Sequence, residues 1–237
     1  MLRPLLPALL LALLVLPGCR ISFDGPAVAG SGVTTSQSRT VPGFDRIDVG
    51  GQYDLLVRVG GRRSVVLAGD DNLLPLIRTE VRDGTLHVES DQDLDPSDRI
   101  RIEIAVESLR GIHSGGSSNV VIRDVRAPAF EASVSGSSEL TADGQFGDLS
   151  TSITGSGEIR MDGTAEAIEG EVSGSGELDL LQVRARTARI HVSGSGDAAV
   201  RVSERLDASV SGSGGVRYAG RPAVNANISG SGSVDRI

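Results

Sequence analysis

Four acidic residues stand at matching places in consecutive repeats: Glu139, Glu158, Glu177 and Asp197, each directly after a short Gly- and Ser-rich unit. If those repeats stack as strands, the carboxylates form a column with about 4.8 Å between neighbours. Like charges that close need water, guanidinium groups or a cation, and Ca²⁺ prefers carboxylate oxygens. The column is the candidate metal site. The simpler account is a solvated acidic stripe relieved by Arg160 and Arg201. The calcium-binding nonapeptide, Gly-Gly-x-Gly-x-Asp, is absent.

Catalytic chemistry finds little support. His87, His113 and His191 are far apart in the chain, and none has Cys, Asp or Glu at a metal-motif spacing. Gly-Ser-Gly recurs, but a nucleophile elbow needs a strand-to-helix turn, and here every repeat would carry one. Repetition on that scale is structural, so no catalytic residue and no cofactor is assigned.

Cys19 is the only cysteine of the 237 residues. It follows Arg3 and an apolar run from Leu5 to Leu16, which is the layout of a secretory signal too short for a membrane span. Leu16-Pro17-Gly18-Cys19 resembles a lipobox, although Pro17 stands where a small or β-branched residue is usual. Cys19 has no disulfide partner within the chain, and a free exposed thiol would be a liability outside the cell. The expectation is a lipoprotein signal peptide over residues 1–18, acyl chains on Cys19, and a flexible tether over residues 19–38.

The formal charge is −8 and all basic residues are Arg. An acidic chain argues against nucleic acid as a partner. Four Phe, two Tyr and no Trp leave few aromatic platforms for stacking on sugars or bases.

The elements that must position these residues are strands. From Arg39 to Ile112, β-prone runs such as Ile47-Asp48-Val49, Leu55 to Val59, Thr85 to Glu89 and Arg99 to Val106 are separated by Gly-rich or Asp-Gly turns. Asn72 to Ile77 reads as one helical turn or a cap on one end. Beyond Ile112, Ser-Gly units begin at Ser114, Ser135, Thr154, Ser173, Ser193, Ser211 and Ser229, which is 18 to 21 residues per unit. Such regularity marks an array with one unit per coil. Val134 and Leu140 flank their unit six residues apart, as do Ile153 and Ile159, and Val172 and Leu178. An even spacing in an extended chain predicts glycines facing in with the apolar residues and serines facing out in ladders. The predicted fold is all-β: a parallel β-helix over residues 39–237, with irregular coils over 39–112 and Ser-Gly coils over 113–237.

Three sequence stretches carry a resemblance: Val41-Pro42-Gly43-Phe44-Asp45-Arg46-Ile47-Asp48-Val49, Gly69-Asp70-Asp71-Asn72-Leu73-Leu74 and Val81-Arg82-Asp83-Gly84-Thr85-Leu86. With the Ser-Gly series, they make the chain similar to the auto-transporter adhesin, head GIN domain family of exported bacterial proteins. The resemblance covers roughly Arg39 to Ile237. It implies a right-handed parallel β-helix on an exported lipoprotein, and its adhesin label names no ligand.

The expected function is a non-catalytic cell-envelope lipoprotein. Its β-helix serves adhesion or envelope interaction with an unidentified partner. Arg20, rather than an aspartate after the lipidated cysteine, favours the outer membrane. The alternatives are a scaffold that joins copies end to end through open coils, since Ile237 follows shortly after the last unit, and a polysaccharide-active enzyme.

Overall fold

The computed structural model describes residues 26–237. The expected signal segment, 1–18, and the lipid site at Cys19 lie outside the described residues. Five long strands, Asn119–Gly136, Glu139–Gly155, Glu158–Gly174, Glu177–Gly194 and Asp197–Gly212, each wrap almost a whole coil. Each pairs in parallel with the next, and the β-solenoid makes about seven turns.

Alternation drives this. In every coil the apolar residues of one parity enter stacked columns, such as Val134-Ile153-Val172-Val192-Val210 and Leu140-Ile159-Leu178-Ala198-Val216. No member of either column is more than 2% exposed. Each buried aliphatic side chain of Val size or larger contributes roughly 1.5–3 kcal/mol before entropic costs, so the columns together hold the coils in stack.

The Ser-Gly unit works differently from the extended segment that its even spacing predicted. The chain turns a corner there: Val172 ends one wall and Leu178 begins the next. Only the second glycine faces the core, as at Gly157, Gly176, Gly196 and Gly214. The first lies on the outside of the corner at positive φ, for example Gly174 at 118°. A Cβ on Gly174 would stand 2.5 Å from the carbonyl oxygen of Gly155 in the preceding coil. That oxygen accepts a hydrogen bond from the Ser175 amide at 2.8 Å, and the same bond repeats from Ser137 to Gly116, Ser156 to Gly136, Ser195 to Gly174 and onward. The corner is a column of glycines because coil-to-coil hydrogen bonding leaves no room for a side chain.

In two early coils a buried serine takes the inner position instead. The Ser118 hydroxyl donates to the Gly51 carbonyl and accepts from the Tyr53 amide, both at 3.1 Å. The Ser138 hydroxyl accepts from the Ser118 amide at 3.1 Å. These hydroxyls complete the polar lining of the corner where the pattern is least regular.

Ser114, counted above as the start of a unit, belongs elsewhere. It pairs with Val49 on one side and Val134 on the other, and its buried hydroxyl has no hydrogen-bond partner among the described residues. Gly115 is the residue aligned with Ser135, so the unit begins one position later than its sequence implied.

Coils of unequal length still align at this corner. Register shifts fall between Ile122 and Val125, between Arg160 and Asp162, and between Leu180 and Thr187, all on the far side of the coil. From Leu149 to Gly155 and its counterparts the pairing is unbroken.

One end of the stack is capped. The 3₁₀ turn Leu74–Leu76 sits there with Leu73 and Leu74 fully buried, as the sequence anticipated for Asn72 to Ile77. The expected tether over 19–38 is corrected in its described part, residues 26–38: Val28–Ala29 and Thr34–Arg39 are strands, the latter antiparallel to Ser64–Asp70. The segment lacks apolar periodicity because side chains from the cap hold it. Asp70 accepts the Gly32 amide at 2.7 Å and the Ser97 amide at 2.9 Å, while Asn72 bonds the backbone of Ala29 and Ser31.

Two predictions follow from these contacts. Gly174→Ala forces a side chain onto a carbonyl at a φ that L-residues avoid, and costs about 1–3 kcal/mol or more. It lowers the thermal midpoint, whereas Ser175→Ala on the exposed side of the same corner stays within about 0.5 kcal/mol. The amides of Ser97 and then Gly32 hold the Asp70 carboxyl below its ordinary value of 3.8. Its contribution is therefore full above pH 3.8 and is lost as pH falls through the lower folded value. Asp70→Asn lowers the melting midpoint at pH 7, and the gap to wild type narrows below pH 3.8.

Candidate functional site

The acidic column forms as expected: Glu139 pairs with Glu158, Glu158 with Glu177, and Glu177 with Asp197. Arg160 turns onto Glu158 and reaches Asp179 at 3.6 Å, and Arg217 approaches Glu177 at 3.9 Å. Arg201 does not serve the column; its Nε donates to the Leu181 carbonyl at 2.8 Å. No group of three His, Cys, Asp or Glu side chains suited to a metal ion occurs among the described residues. The column is a charged stripe partly neutralised by arginines of its own face.

The serine ladder Ser135-Thr154-Ser173-Ser193-Ser211-Ser229 is in register along the outside. Beside it lies a row that spacing along the chain does not reveal. His87, Asp48, His113, Ser133, Ser152, Glu171, His191 and Ser209 are successive partners across the sheet, so all three histidines share one outer row. The signal was present in aligned repeats: Leu86, Ile112 and Ile190 each place a buried residue directly before a histidine. His87 Nδ1 lies 3.0 Å from Asp48 Oδ2, and His113 Nε2 lies 3.3 Å from Ser135 Oγ. The carboxylate and the serine thus contact different histidines, and these contacts do not join into a serine–histidine–carboxylate relay.

A concavity runs along the stack at a corner away from the Ser-Gly units. It is an open groove of about 800 Å³. Its floor is the backbone at Phe130, Leu149, Ile168 and Ala188, whose side chains are buried in the core. One wall carries Arg46, Glu131, Ser150, Glu169, Arg189 and Asp207, which lie in one register row with Gly111 between Arg46 and Glu131. The other wall includes Asp148, Thr187 and Arg205. Arg46 pairs with Glu131 at 2.7 Å and Arg205 with Asp207 at 2.9 Å, and the Arg205 guanidinium holds the Asp207 carboxyl below the usual range. Asp148, Glu169 and Arg189 make no side-chain hydrogen bond or ion pair among the described residues. No local motif announces this groove, because its walls assemble from residues 18 to 20 positions apart and from Arg46, 85 positions before Glu131.

The fold defines the class first: a repeat-built parallel β-solenoid with polar outer rows and an axial groove. Within that class, the chain belongs to the family described as "Putative auto-transporter adhesin, head GIN domain", whose model matches residues 43–222. It is similar to the crystal structure of a "putative adhesin" from Bacteroides fragilis, with 22% identity, a TM-score of 0.81, and coverage of 89% of this chain and 100% of the other. A "putative adhesin" from Parabacteroides distasonis matches with 22% identity and a TM-score of 0.77, over 90% and 100% of the two chains. A "putative lipid binding protein" from the same species matches at 25% identity and a TM-score of 0.75, with the same coverage. No curated protein matches the sequence.

The arrangement of the acidic column yields a prediction. Because Arg160 and Arg217 already face it, titration with millimolar Ca²⁺ produces no binding heat and no change in melting midpoint. A saturable heat signal lost in Glu158→Gln would establish a cation site.

Proposed function

We propose that this protein is an exported adhesion protein of the bacterial envelope, held by a lipid on Cys19, with the β-solenoid as a non-catalytic contact surface. The observation that carries this reading is the joining of an adhesin-family solenoid to outer rows of short polar residues kept in register over many coils. Such rows present a regular, rigid surface, which suits attachment more than turnover. The split between the His87–Asp48 and His113–Ser135 contacts also lacks the linked geometry that nucleophilic catalysis needs. The signal-like segment and the lone cysteine of the sequence support export and anchoring.

A lipid-binding role, taken from the relative so described, finds less support. The apolar columns under the groove are buried and its walls bear charges. A scaffold joined head to tail needs open core at both ends, and the cap at Leu73 and Leu74 covers one of them. At the other, Val224 and Ile228 are 40% and 44% exposed.

Two readouts on the full chain test the proposal. Metabolic palmitate labels wild type and not Cys19→Ser, and the purified protein is captured by at least one class on an array of glycans and matrix proteins. An unlabelled wild type overturns the anchor, and silence across the array overturns adhesion.

A further inference from the structure

The groove has dimensions that restrict what fits it. Arg46, Gly111, Glu131, Ser150, Glu169, Arg189 and Asp207 occupy seven successive strands. At ~4.8 Å per strand the wall is roughly 29 Å long. Spread over that length, the groove of about 800 Å³ is much longer than it is wide. A compact ligand would touch only part of this wall, whereas a single extended polymer lying along the solenoid axis meets all of it.

The charges select its chemistry. The lining is mixed in sign: Arg46 and Arg110 stand at one end, Glu131, Asp148 and Glu169 on the next three strands, and Arg189, Arg205 and Asp207 beyond them. A polyanion meets four carboxylates and a polycation meets four guanidinium groups, so either suffers like-charge contacts along its length. An uncharged polyol suffers neither. Each hydroxyl both donates and accepts, so such a chain satisfies the carboxylates of Asp148 and Glu169 and then the guanidinium of Arg189 on the next strand. The side chains without protein partners, Asp148, Glu169 and Arg189, fall in neighbouring coils in the middle of the groove. An extended glycan also advances by about one ring per coil, which lets the same contact recur.

We propose that this groove binds an uncharged glycan chain laid along the solenoid axis, with Asp148, Glu169 and Arg189 as its central hydrogen-bonding groups. The inference rests on the adhesion reading and names the site and ligand class within it. With few aromatics to stack on the rings, hydrogen bonds supply the contact. Affinity per chain is modest, and many anchored copies raise it at a surface.

The test uses the intact protein and defined hexasaccharides in a calorimetric or fluorescence titration. The probes are cellohexaose and fully N-acetylated chitohexaose as neutral chains, with hexagalacturonate and the deacetylated chitohexaose as anionic and cationic controls. A neutral hexamer binds, its disaccharide binds far more weakly, and both charged controls bind less well than the neutral chains. Glu169→Gln and Arg189→Gln, at exposed positions that leave the melting midpoint in place, each weaken the neutral hexamer at least about tenfold, as expected for one lost charge-assisted hydrogen bond. Ser173→Ala, on the serine ladder, leaves it unchanged. The proposal is overturned if no neutral hexamer binds at millimolar concentration, if a charged chain binds best, or if binding ignores the two groove substitutions. In each of those outcomes a positive array result still sustains adhesion through another face.

Discussion

From Gly51 onward, successive coils are registered on one close contact: a glycine carbonyl on the outside of the corner, met by the amide of the following coil where no Cβ fits. The approach is possible only with the backbone at a φ that other residues rarely adopt. Because each of these glycines both receives the preceding coil and offers its own carbonyl to the next, the column acts as a shared reference line. The apolar columns inside and the polar rows outside take their alignment from it. Variation in coil length is absorbed on the far side, where Gly163 and the left-handed Asp124 let the chain bend.

Much of this architecture was legible from periodicity. The repeat length, the serine ladder, the acidic column and the capping segment near Leu74 all follow from where apolar and small residues recur. What spacing along the chain leaves out is curvature. Parity along a straight strand placed both glycines of the unit inside, whereas a turning chain sends the first outward. Ser114 escapes the periodicity for a related reason: it is a serine in a valine column, and only its pairing with Val49 and Val134 shows that. The segment from Val28 to Arg39 looked like a tether because its order comes from Asp70 and Asn72, about forty residues away.

The candidate binding surfaces were harder to see for a physical reason. A solenoid builds its exterior from residues one coil apart, so neighbours in space are strangers in sequence. His87, His113 and His191 seemed isolated, yet they share a row; Glu169 and Arg189 are ordinary surface charges until stacking puts them side by side in a groove. The core fixes where these positions stand and leaves their identity open. That division of labour is compatible with a fold shared at 22–25% identity and TM-scores of 0.75 to 0.81.

The placement of slack away from the glycine corner also governs how such a chain can change in size. A lost or gained residue near Asp162 or Leu181 costs a bulge. One within the corner would throw every later row onto the wrong face. Whole coils, by contrast, can be duplicated or excised with both cut ends still matching, glycine over glycine. The rod therefore evolves in length by discrete increments of one strand spacing, much as a chain is shortened by the link.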